Sequence, residues 1–351
     1  MKRIISKGLC ALLAAVCALS CNPSAVLSSS SENGLEGPTG QILLRLSFPK
    51  ADTRAPLSQC LENRISSVQV LVFDQESGRL ENDRYQLLDQ PADDGCAITL
   101  TSLVGSKLIW AVVNAPRITD AASALQLSAL LSDLAHNATD CLVMSGFAQE
   151  VPVAKSTPGK LETATEITVP VCHLAARVCL DSIEADFTGS ALEGAIFQVK
   201  AVYLKNVVGK VCLDGSACPS LENDGNWYNL ASESAVLAAP ERIRALTYDT
   251  GAQMPCALYA YPNTGTLLST RLVVKAHLGG TTVSGAVDRD SYYVFTLPPL
   301  ERNRIYRISR IGISIEGKPD DGSDSLTEAG KLESNVQVQD WDGTTLLEYE
   351  L

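Results

Sequence analysis

Three histidines, eleven cysteines and forty acidic residues hold the side-chain chemistry open to this 351-residue chain. A catalytic nucleophile needs a base beside it, and a zinc site needs Cys or His in closely spaced pairs. Neither pattern occurs. The sequence has no Gly-x-Ser-x-Gly elbow, His-Glu-x-x-His, P-loop, dinucleotide fingerprint or Cys-x-x-Cys. His136, His173 and His277 are not at ligand spacing, and His173 sits in the apolar run VCHLAA, where a hydrogen-bonded core histidine is expected. Carboxylates are plentiful, but none pairs at a strand end as a glycosidase requires. No catalytic residue, metal or cofactor is expected. Trp110 lies in an apolar strand, which leaves Trp227 and Tyr228 in NDGNWYN as the aromatic pair on which a sugar could stack.

Two other residues stand out because chemistry could be done to them. The first is Cys21. MKRIISKG supplies a basic start, LCALLAAVCALS an apolar run too short to span a bilayer, and Ala18-Leu19-Ser20-Cys21 resembles a bacterial lipobox. That reading makes residues 1–21 a lipoprotein signal with Cys21 acylated, and the Ser/Gly-rich stretch 22–40 a flexible tether. The second is Arg54 in KADTRAP, with Thr before it and Ala55-Pro56 after it, small and extended as a trypsin-like protease cleft prefers.

The remaining eight cysteines are Cys60, Cys96, Cys141, Cys172, Cys179, Cys212, Cys218 and Cys256. Their even number in an exported chain permits disulfides, with Cys212 and Cys218 the pair that a turn brings together. Buried thiols are the competing reading.

The elements that must position these residues are mostly short strands between turn residues, the pattern of β-sandwiches. SSVQVLVFD (66–74), CAITLTSL (96–103), KLIWAVVNAP (107–116) and CLVMSGFAQEVPV (141–153) read as extended. One helix is expected after Thr119 and Asp120, from Leu127, Leu130, Leu131 and Leu134 at i, i+3, i+4, i+7. The polar stretch 155–166 suggests a boundary, giving an N-terminal domain over 41–160 and a C-terminal one over 161–351. A net charge of −12 leaves no basic stripe for nucleic acid.

Arg54 follows a well-patterned strand. Ile42, Leu44, Leu46 and Phe48 place four large apolar side chains on one face. Burying them contributes roughly 6–12 kcal/mol at about 1.5–3 each, against whole-domain stabilities of about 5–15. A domain deprived of that strand needs a replacement. TTLLEYEL has the same pattern, with Leu347, Tyr349 and Leu351 alternating with Glu348 and Glu350. Such a strand either packs in its own sheet or is donated to another chain.

Several segments taken in order are similar to the fimbrillins of Bacteroidales, the FimA/Mfa-type subunits of type V pili: the lipobox, SVQVLVFDQESGRL, IWAVVNAP, LVMSGFAQEVPV, HLAARVCLDSI, AVYLKNV, LYAYPN with TRLVVKA, PLERNRIYRISRIGISIEG and VQVQDW. The resemblance covers nearly the whole chain after the tether. It implies an all-β chain of two transthyretin-like sandwiches with one short helix in the first. It also implies no enzyme activity, export as a lipoprotein to the outer membrane, and a surface location in a fimbrium serving adhesion. In that family a trypsin-like surface protease cuts after an arginine behind the first strand, here Arg54. Removal of the strand opens a groove that the C-terminal segment of a neighbouring subunit fills. The partners expected are therefore other fimbrial subunits, that protease and, before maturation, the membrane. An anchor or tip subunit that keeps its first strand and a glycan-binding surface lipoprotein are the rival readings.

Overall fold

The computed structural model describes residues 36–47, 62–92, 96–137, 141–157, 159–216, 256–265, 268–321, 335–341 and 345–350. In the N-terminal sandwich, β1 (Thr39–Ser47) lies between β4 (Ala97–Leu103) and β8 (Thr165–Pro170). The facing sheet runs β3 (Leu80–Ala92), β2 (Ile65–Asp74), β5 (Gly105–Val113), β7 (Met144–Val153) and β9 (Cys172–His173). Val68, Val70 and Val72 of β2 and Ile109, Ala111 and Val113 of β5 meet the inner face of β1 in one core. Leu71, Phe73, Trp110 and Val112 point the other way into a second core. A sheet covered on both faces explains why these two strands read as continuous apolar runs. The run in β5 stops at Asn114, which takes a positive φ of 59°. Its side chain accepts from the Ser66 amide at 2.8 Å and donates to Arg64 O and Leu142 O, and Asn tolerates that left-handed geometry better than most residues.

The helix is shorter than its leucine spacing predicts. α1 spans Ala124–Ala129 and is capped by Ser123, not by Thr119 or Asp120. Leu127 is buried and Leu130 ends the helix in extended backbone, so that Leu131 begins β6 (Leu131–Asp133) and Leu134 is buried in a following 3-10 turn. The interdomain pairing of β6, described below, takes precedence over the helical period.

The C-terminal half builds a five-stranded sheet and a three-stranded one. The first has the order β14 (Cys256–Ala260), β10 (Ala176–Leu180), β17 (Arg304–Ile308), β19 (Asn335–Asp340), β20 (Thr345–Glu350). The second has the order β12 (Ile196–Lys205), β15 (Arg271–Thr282), β16 (Gly285–Thr296), and a short pair joins β11 (Ile183–Ala185) to β18 (Ile311–Ile313). β13 (Lys210–Cys212) crosses the seam to pair with β6. The second core runs on without a break from Leu71 and Trp110 into Leu180, Tyr261 and Ile305.

The boundary expected at 160/161 falls short of the N-terminal sandwich. β8 pairs in parallel with β1, from Ile42 opposite Thr165 to Ser47 opposite Pro170, and β9 still pairs with β7. The stretch 155–166 is polar because the connection and the start of this outer strand face solvent, not because a domain ends there. None of the six described cysteines outside the signal region is bonded to another described cysteine. Burial holds the Cys96 and Cys179 thiols up to about 11, which makes them unreactive. Cys60 and Cys218 lie outside the described residues, and with Cys218 the Cys212–Cys218 pair.

Candidate functional site

The first strand occupies the middle of its sheet. On one side it runs antiparallel to β4, from Thr39 opposite Leu103 to Arg45 opposite Ala97; on the other it runs parallel to β8. Further hydrogen bonds tie its two ends: Val104 N to Pro38 O at 2.9 Å, Leu46 N to Cys96 O at 3.1 Å and Val171 N to Ser47 O at 3.0 Å. Ile42 and Leu44 are fully buried and Leu46 nearly so, all three in the sandwich core with Ile98, Leu100, Met144 and Val169. Leu43 is also buried, on the opposite face, while Arg45 is exposed. Removing such a strand leaves two ladders unpaired and a core uncovered. Phe48, Arg54 and Ala55 lie outside the described residues.

Gly40 lets β1 come close to β7. A Cβ there would sit 2.0 Å from the Ala154 carbonyl oxygen and 2.8 Å from Val153 Cγ1, so no side chain fits. Next to it the Gln41 amide donates to Ser156 Oγ at 2.7 Å. The Gln41 side-chain oxygen is buried and has no partner among the described residues.

The chain is fixed again at Glu62, which sequence reasoning did not single out. Its carboxylate is fully buried, 3.1 Å from Arg177 Nη1 on β10, and it accepts from the Tyr259 hydroxyl on β14. Burial pushes the carboxyl pKa up, and Arg177 and Tyr259 pull it back. The Glu62 carbonyl oxygen lies 3.3 Å from His173 Nε2. Residues 48–61 therefore join a strand held in the N-terminal sheet to a residue bolted into the C-terminal sheet. Nothing in CLENR signals this, because the partners are 115 and 197 positions away.

His173 is the core histidine that VCHLAA suggested. It is fully buried, meets Asn303 Oδ1 at 3.3 Å through Nδ1, and stacks on Trp341 with centroids 4.1 Å apart. Burial, with the Arg302 and Arg177 cations adding to it, drops its pKa to about 4, against weaker opposition from its hydrogen bonds to Glu62 and Asn303. Arg302 closes the same seam by donating to the carbonyls of Ser145, Cys172, His173 and Asp214. Trp110 is core, stacked on Phe147. Trp227 and Tyr228 lie outside the described residues.

The candidate donor strand is β20. Among the described residues its backbone pairs antiparallel with β19 alone, Val336 opposite Tyr349 and Val338 opposite Leu347, at the edge of the C-terminal sheet. The structure thus places the two patterned strands at different stations, one central and one peripheral. Leu351 lies outside the described residues.

No family model and no curated protein matches the chain. Solved structures do. A candidate cell adhesion protein from Parabacteroides distasonis superposes with a TM-score of 0.62 at 18% identity, covering 88% of this chain and 98% of that one. A second from the same organism gives 0.62 at 14% identity, with 86% and 100% covered. A fimbrilin from Porphyromonas gingivalis gives 0.58 at 14% identity, with 87% and 99% covered. Identities this low speak for architecture. The chain has the tandem β-sandwich fold of the Bacteroidales fimbrillins.

Proposed function

We propose that this chain is a structural subunit of a surface fimbria serving adhesion. It is exported as a lipoprotein acylated on Cys21, matured by a trypsin-like protease that hydrolyses the Arg54–Ala55 bond, and polymerised by strand donation. The observation that carries this reading is the station of β1: central in its sheet, with Ile42, Leu44 and Leu46 in the core, yet joined to Glu62 through the stretch that holds Arg54. Cleavage leaves Ala55–Leu61 attached to the buried Glu62 anchor and frees β1, which is then held only by its ladders and its apolar face. The site works by displacement and has no reacting group of its own. The fold shared with a Porphyromonas gingivalis fimbrilin and with candidate adhesion proteins supports the same reading. In the fibre, the slot of β1 is filled by the β20 segment of a neighbouring subunit, with Leu347, Tyr349 and Leu351 as its apolar face.

N-terminal sequencing of material sheared from the cell surface tests it. Ala55 is expected as the first residue. A protein still beginning at Cys21 in the fibre overturns the stalk reading in favour of an anchor or tip subunit that keeps its first strand.

A further inference from the structure

β4 is fastened along both of its edges. Just before it, the Cys96 carbonyl faces β1 and accepts from the Leu46 amide. The alternation of an antiparallel strand turns the Thr99 and Thr101 carbonyls the other way. Side chains from the facing sheet take both of them. Asn82 Nδ2 donates to Thr101 O at 2.6 Å and Arg84 Nη1 to Thr99 O at 2.6 Å, both from β3. Asn82 and Arg84 stand opposite Val72 and Val70 of β2, whose side chains enter the sandwich core, so the two reach across the gap between the sheets.

A third tie lies beside them. Ser102 Oγ donates to Glu81 Oε2 at 2.8 Å, and the other oxygen of Glu81 accepts from Lys107 Nζ on β5 at 2.7 Å. Ser102 and Lys107 are buried, so water does not compete for these bonds. All three ties run from β3 to β4 and involve no atom of β1. The opposite wall of the β1 slot is fastened as well. Thr165 Oγ1, at the start of β8, donates to Pro152 O of β7 at 3.3 Å. At the end of β8, a Cβ on Gly146 of β7 would sit 1.8 Å from the Pro170 carbonyl oxygen, so the two strands touch there. One residue later β9 pairs with β7.

We propose that Asn82, Arg84 and Glu81 are positioning residues of the strand-exchange site: they clamp β4 to the facing sheet, so that the slot keeps its width when β1 departs. This rests on the reading that β1 is released, and adds to it the groups that preserve what β1 leaves behind. Released from β1, β4 loses its ladder in the three-stranded sheet. Without the clamp it would fold over the uncovered Met144 and Val169 and close the slot. The apparent affinity for any entering strand falls in proportion to the fraction of molecules whose slot is open. With the clamp, a new strand enters without refolding the sandwich.

The test uses the full chain, cleaved with trypsin after Arg54, with its first segment removed by gel filtration in mild urea. A fluorescent peptide of residues 39–47, the sequence of β1 itself, reads the state of the slot independently of whichever strand fills it in a fibre. Asn82→Asp is isosteric and removes the donor, and Arg84→Met keeps the stem without the guanidinium. The peptide is expected to bind this double variant on the order of tenfold more weakly than the wild type. Arg84→Lys, which retains a donor, should recover part of the loss relative to Arg84→Met. Before cleavage the double variant and the wild type should share one near-ultraviolet circular dichroism spectrum, since the β1 ladder then holds β4. Equal peptide affinity of the two cleaved chains overturns the clamp and leaves strand release standing. If the double variant is already disordered before cleavage, Ser102→Ala takes its place; it removes the third tie alone, and an unchanged affinity there also overturns the clamp. A first segment that cannot be removed from the cleaved wild type while the rest stays folded overturns strand release, and the clamp with it.

Discussion

β1 and β20 carry the same pattern but are held in opposite ways. β1 has a ladder on each side and three side chains in the sandwich core. Among the described residues β20 has one ladder, at an edge. Edge strands peel more easily than central ones, since half as many backbone bonds must break. Left alone, the chain would keep β1 and loosen β20, which is the wrong polarity for displacement. Cutting the chain reverses it: β1 loses its covalent link to Glu62, whereas β20 stays joined to the buried Trp341. On the proposed reading, covalent chemistry at the Arg54–Ala55 bond decides which of two similar strands is expendable.

The largest effect that could break this comparison is removal of β1 with no replacement. A chain cleaved after Arg54 and truncated after Trp341 loses the burial of Ile42, Leu44 and Leu46, roughly 4.5–9 kcal/mol at about 1.5–3 each. That is comparable with the stability of a whole domain. Its N-terminal sandwich should unfold in urea well below the uncleaved chain. The uncleaved chain truncated at the same place should fold and be exported, because it has lost only an edge strand. If the truncated but uncleaved chain unfolds as readily, β20 is integral to its sheet and the contrast between the two strands disappears.

A paired substitution sharpens the same point at a smaller scale. Leu44→Ala should lower precursor stability by about 2–5 kcal/mol, the range for a buried Leu, and should leave a fibre grown from cleaved subunits unchanged, since β1 is no longer there. Leu347→Ala should do the converse, sparing the precursor and lowering the temperature at which the fibre dissociates. Equal effects of both variants in the precursor would mean that the two strands are equally embedded.

The apolar face of β1 at Ile42, Leu44 and Leu46, the strand-rich pattern and the core character of Trp110 and His173 were legible because each is a local matter of residue type and period. The parallel pairing of β1 with β8 was not. It joins residues more than 120 positions apart, Ile42 with Thr165, and β8 has one buried side chain, Val169, among its six residues. Its polarity therefore read as a boundary. The Glu62 anchor was hidden for the same reason: a lone glutamate acquires its meaning from Arg177 and Tyr259, which only the folded chain brings near. Four leucines at helical spacing predict one longer helix, whereas the fold divides them among a short helix and its end, a strand and a 3-10 turn.

The smallest effect concerns the attachment of β20. Trp341, which precedes that strand in the chain, is pinned by stacking on His173. Folded His173 takes its proton only near pH 4, while an unfolded histidine takes it near 6.5. Between those values the unfolded state binds more protons, so stability falls as the pH is lowered through the window, by about 3 kcal/mol when complete. Above pH 6.5 both states are neutral and the effect is absent. The charge that forms is buried and repelled by the Arg302 and Arg177 cations, so acid should loosen the seam that anchors β20 and leave β1 in place. Urea midpoints followed by Trp fluorescence should drop between pH 6.5 and 4, and His173→Gln should flatten that limb while lowering stability at neutral pH. A limb unchanged by His173→Gln would assign the acid sensitivity elsewhere, and the two strands would then share one response to pH.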